Sequence, residues 1–150
     1  YRIGGANLES TGTTITDTNL TLAGVATGFG IAQIAYTNSF ANPAPTTTRM
    51  FDLDADNNRL LQQVPPNDGT LTVIGATGTA FNDYGGMDFS GGDNGMRLMA
   101  NRVATTGPFS LFNLNIGTGE LLGAAVATGT NEIGTGAAAS TDIRALTVKY

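Results

Sequence analysis

The sequence predicts an all-β fold built from propeller-like four-stranded antiparallel units, with a β-sandwich as the alternative. Two observations carry that expectation. Short runs of Thr, Val, Ile, Leu and Phe are cut by Gly, Asn, Asp and Pro roughly every eight to twelve residues, the punctuation of strands and turns. A tetrad also recurs: Val25-Ala26-Thr27-Gly28, Gly75-Ala76-Thr77-Gly78 and Val126-Ala127-Thr128-Gly129, its final glycines 50 and 51 residues apart. About four strands per repeat of that length is the signature of a propeller blade. The 150 residues then hold about three blade-sized units, and the length suits a single domain, 1–150.

Each element follows from its local composition. Tyr1–Ile3, Thr13–Thr16 and Leu20–Gly24 are short Thr/Ile/Leu-rich strands, and Ile31–Asn38 is a longer one. Thr47–Asp54 and Arg59–Val64 flank an Asp/Asn turn, and Thr70–Gly75 begins after the Pro65-Pro66-Asn67-Asp68-Gly69 break. Gly86–Ser90 and Met96–Asn101 are joined by Gly91-Gly92-Asp93-Asn94-Gly95, the composition of a hairpin turn. Phe109–Asn115, Glu120–Ala125 and Asp142–Tyr150 complete the set. Gly136–Ala145 is the one stretch with some helical character, and its glycines and Thr oppose it. Met50 to Asp54 and Leu111 to Asn115 alternate apolar residues with Asp or Asn, which predicts one core face and one solvated face. These two stretches also match as hairpins: Phe51-Asp52-Leu53-Asp54 with Leu60-Leu61 aligns on Phe112-Asn113-Leu114-Asn115 with Leu121-Leu122.

Composition excludes several function classes. His, Cys and Trp are absent, which removes a Ser-His-Asp triad, a Cys nucleophile, a Cys/His zinc site and any disulfide. At 41% hydrophobic the chain is too apolar for disorder, while charged residues reach 13% against about 25% in ordinary globular proteins. One lysine, Lys149, six arginines and a net charge of −5 provide no phosphate-binding surface, so no nucleic-acid partner is expected. Apolar runs such as Leu121 to Ala127 fall far short of the ~20 residues of a membrane helix. Low charge with abundant Thr, Gly and Asn leads us to expect an extracellular or cell-surface protein, and a start at Tyr1 rather than Met a processed product or a trimmed fragment.

The segments Ile34-Ala35-Tyr36-Thr37-Asn38-Ser39-Phe40-Ala41, Thr46 to Asp54 and Pro65-Pro66-Asn67-Asp68-Gly69-Thr70-Leu71 carry a further signal. With Tyr84 to Ser90 and Phe112 to Gly119, they resemble the C-terminal half of the bacterial family catalogued as domain of unknown function 4394. The resemblance implies a secreted, propeller-like β-protein that forms one half of a longer molecule, and it implies no activity.

Chemistry-bearing residues are few. Asp52, Asp54 and Asp56, followed by Asn57 and Asn58, resemble the opening of a calcium loop, whose alternate oxygen ligands suit a hard cation. The loop's sixth and twelfth positions hold Asn57 and Gln63 instead of Gly and Glu, so a solvated strand face with no cofactor is the favoured reading. Asp83 and Asp88 read as turn residues rather than a glycosidase pair. Tyr36, Phe40, Tyr84, Phe89 and Phe109 could line a glycan groove or belong to the core.

The expected function is therefore non-enzymatic: an extracellular structural protein that self-assembles into a filament or a closed ring by edge-strand complementation. The alternative is a binding module for glycans or surface partners. Assembly is expected at the chain ends, through Tyr1, Arg2 and Ile3 and through Ile143, Ala145, Leu146, Val148 and Tyr150.

Overall fold

The computed structural model describes residues 18–38, 45–66, 68–90, 109–123 and 146–147, together with the backbone of short strands at 2–3, 14–15, 97–101 and 132–133. Described residues include no helix. The strands are β1 (Arg2–Ile3), β2 (Thr14–Ile15), β3 (Thr21–Leu22), β4 (Ile31–Tyr36), β5 (Met50–Asp54) and β6 (Arg59–Gln63). They continue with β7 (Thr70–Ala76), β8 (Gly85–Phe89), β9 (Arg97–Asn101), β10 (Phe109–Leu114), β11 (Leu121–Leu122) and β12 (Glu132–Ile133). Eleven of them overlap or adjoin expected strands; β12 was not expected. Gly136–Ala145 lies outside the described residues.

β4, β5, β6 and β7 form one antiparallel meander, and β8, β9, β10 and β11 form a second. The first sheet is not purely antiparallel, because β3 pairs with β7 in parallel at Thr21↔Thr70 and Leu22↔Leu71. β12 adds to β10 at Phe109 and Ser110, on the edge that β11 occupies further along. β1 pairs with β2 in a separate two-stranded sheet.

The two larger sheets share one core. Ala35, Phe51, Leu53 and Leu60 of the first meander meet Met87, Phe89, Phe112, Leu114 and Leu121 of the second, with Phe81 and Ile116 filling the ends. The Phe51 and Phe89 rings meet edge to face with centroids 5.7 Å apart, a favoured aromatic geometry. The matched hairpins share three buried pairs, Phe51 and Phe112, Leu53 and Leu114, and Leu60 and Leu121, but differ elsewhere: Asp52 and Leu61 are buried while Asn113 and Leu122 are exposed.

Thr77 of the recurrent tetrad ties the two meanders together. It is fully buried, its N–H donates to the Asn58 carbonyl at 2.9 Å, and its own carbonyl accepts from the Leu121 N–H at 2.9 Å. Its Oγ1 lies 2.9 Å from the Asn58 carbonyl and 2.8 Å from that of Thr79. The tetrad ends on a left-handed glycine in both described copies, Gly28 with φ +86° and Gly78 with φ +74°. A residue without Cβ reaches that conformation at no steric cost, which explains why the repeat closes on Gly.

Candidate functional site

Cross-strand register defines the face of the first sheet that points away from the shared core. One row runs Ile34, Asp52, Leu61, Val73, and a second runs Tyr36, Met50, Gln63, Leu71. The centre of this face is buried while its margins are open: Asp52 and Leu61 are 0% exposed, Ile34 is 52% and Val73 45%. The expected solvated face of Met50 to Asp54 is therefore corrected. β5 lies inside a five-stranded sheet and is buried on both sides, so its period of two separates two buried environments rather than core from water. Asn113, the partner of Asp52 in the hairpin match, does face solvent.

The two buried carboxylates have opposite circumstances. Asp54 stands opposite Arg59 in the ladder, and the guanidinium Nε donates to its Oδ2 at 2.6 Å. The Gly30 N–H donates to Oδ1 at 3.0 Å and the Asn57 amide to Oδ2 at 2.9 Å. Burial by itself would raise the Asp54 pKa, but the hydrogen bonds from Gly30, Arg59 and Asn57 and the Arg59 charge outweigh it and hold it below the ordinary carboxylate value. Asp52 has neither hydrogen-bond partner nor counter-ion: both carboxyl oxygens are buried and unpaired, and burial pushes its pKa up to about 7. The Oε1 of Gln63, two positions along the neighbouring strand, is also buried without a donor.

Asp56, the third candidate ligand, is exposed in the β5–β6 turn and lies over Gly30, where a Cβ would come within 2.8 Å of its carboxyl group. Asp52, Asp54 and Asp56 thus occupy three different environments. Among the described residues no group of three or more acidic side chains is placed to hold a metal ion. The aromatic candidates also separate. Phe89 and Phe109 are buried, Tyr36 and Tyr84 are exposed, and Phe40 lies outside the described residues. Asp83 is exposed, and Asp88 accepts a hydrogen bond from the Phe89 N–H at 2.9 Å.

Of the expected assembly residues, Arg2 and Ile3 pair within the chain, opposite Ile15 and Thr14. Leu146 is half-buried and borders a cavity; Tyr1, Ile143, Ala145, Val148 and Tyr150 lie outside the described residues. That cavity, which sequence reasoning missed, is partly open and measures ≈290 Å³. It lies where Ala32, Gln33 and Ile34 of β4 face Gly85, Gly86 and Met87 of β8. Among the described residues its wall is uncharged. The Gln33 side chain is 5% exposed, and neither polar atom of its amide has a partner. The visible signal for this place was Gly85-Gly86 opening a strand, since glycine within a strand marks close approach of a ligand or another backbone.

No curated protein and no solved structure matches the chain. A family model described as Domain of unknown function (DUF4394) matches residues 4–141, and the chain belongs to that family.

Proposed function

We propose that this chain is a non-catalytic, extracellular structural β-protein that assembles with copies of itself by adding strands to open sheet edges. One observation carries the reading. β7 has seven residues, but β3 covers only Thr70 and Leu71. Thr72, Val73 and Ile74 have no ladder partner on that edge among the described strands, and Thr72 and Val73 are exposed. Unpaired backbone flanked by a β-branched apolar residue is a template for another strand.

Propeller-like units fit the same picture. β10 begins 50 residues after β6, and β11 begins 51 after β7, the spacing of the tetrad. The two described meanders set their first strands side by side, as adjacent blades do. Two meanders are fewer than the four to eight blades of closed propellers. Copies joined head to tail complete a ring if the rotation closes and continue as a fibre if it does not. Sparse charge and abundant Thr, Gly and Asn support a place outside the cell.

Sedimentation velocity over a concentration series tests the proposal. The full chain is expected to form dimers or larger species, and Val73→Lys, which sets a charge on the open edge, is expected to shift them toward monomer. A full chain that remains a compact monomer at high concentration overturns it. A second reading, a module that binds glycans, is favoured by the uncharged cavity between β4 and β8.

A further inference from the structure

Among the described strands β4 pairs only with β5, and β8 pairs only with β9. The two strands lie side by side with Cα atoms within 8 Å, and among the described residues no ladder joins them. The cavity lies at this seam.

We infer that this cavity is a binding site for a single neutral sugar residue; the inference rests on the glycan-binding reading and supplies its site. Among the described residues no charged side chain lines the wall, which disfavours phosphate, carboxylate or cation ligands. A volume of ≈290 Å³ stands at the low end of the roughly 300–1,000 Å³ of small-molecule sites, room for one ring rather than a chain. Ile34, Met87 and Leu146 offer apolar contact to the C–H face of such a ring. Gly85 and Gly86 line the cavity without side chains of their own.

Gln33 supplies the specific element. Its amide is buried, unpaired at both the oxygen and the nitrogen, and belongs to a side chain that borders the cavity. There Oε1 accepts from one hydroxyl while Nε2 donates to its neighbour, a match to a vicinal diol. Ligand binding thereby satisfies a group that the free protein leaves without partners, which gives the bound state a differential advantage.

The test is NMR titration of the full chain with glucose, galactose and N-acetylglucosamine, each up to its solubility limit. The expected result is a saturable shift of the Gly85 and Gly86 backbone amides and the Gln33 side-chain amide by at least one sugar. Gln33→Leu keeps the side-chain volume and is expected to weaken that binding about tenfold, the equivalent of one lost hydrogen bond to a buried group. Ala32→Leu, which fills the cavity, is expected to abolish it; thermal melts of both variants report that they fold. Val73→Lys should bind like the parent chain, since the seam is separate from the β7 edge. Shifts confined to other residues, or unchanged in Gln33→Leu and Ala32→Leu, overturn this site while leaving glycan binding intact. Absence of shifts with all three sugars overturns both.

Discussion

Replacing Asp52 by Asn should raise the stability of this protein above neutral pH. The carboxyl group is 0% exposed, has no hydrogen-bond partner, and titrates near 7 instead of 3.8. In the unfolded chain it ionises near its ordinary value, while the folded state retains the proton until about pH 7. The native state therefore binds more protons than the unfolded state between those values, so stability falls as pH rises through that window and then levels off. A shift of about three pH units corresponds to about 4 kcal/mol. Asp54 acts in the opposite sense: its pKa is depressed, so its contribution is lost only as pH falls below the ordinary carboxylate range.

Asp52→Asn removes the ionisation and keeps the shape. Near pH 4.5 the two proteins should be within about 1 kcal/mol of each other, because the parent carboxyl is neutral there. At about pH 8.5 the variant should be more stable by up to about 4 kcal/mol, a rise in Tm of roughly 10 °C for a chain of this size. Urea denaturation of both proteins across this range measures the difference. Parallel stability–pH curves, or a variant less stable than its parent at the upper pH, would refute the assignment of an uncompensated buried acid.

Two other side chains give sharp expectations. Thr77→Val should lower stability by about 1–3 kcal/mol by removing the hydroxyl that reaches the Asn58 and Thr79 carbonyls, as read by urea denaturation at fixed pH. A loss below about 0.3 kcal/mol would mean that the backbone bonds alone hold the joint between the meanders. Calcium added or chelated should leave Tm unchanged, because Arg59, Asn57 and Gly30 already occupy the Asp54 carboxylate; a rise of many degrees with calcium would reveal a site at Asp52, Asp54 and Asp56.

Much of the secondary structure was legible because strand residues and turn residues differ in kind. The Thr/Val/Ile/Leu runs and the Gly, Asn, Asp and Pro breaks placed β4 to β10 within a few residues, and the hairpin match pointed to the buried pairs Phe51 and Phe112, Leu53 and Leu114, and Leu60 and Leu121. The ends of strands were less legible. β11 stops at Leu122, and β7 continues to Ala76, because hydrogen-bond partners rather than propensity decide where a ladder ends. The parallel pairing of β3 with β7 joins residues about 50 positions apart, a long-range contact with no local signal.

The sequence by itself determined that the protein is all-β, that it has no cysteine or histidine chemistry, and that a glycine-terminated unit recurs. Those properties depend on composition and on conformational preferences within a few residues. Tertiary structure alone decided that Asp52 and Asp54, two residues apart on one face of one strand, are respectively unpaired and saturated with donors. It also brought Gln33 and Gly86 to opposite walls of one cavity. Burial and pairing depend on which strands lie alongside, and alternation along a strand records a change of side without recording what covers either side.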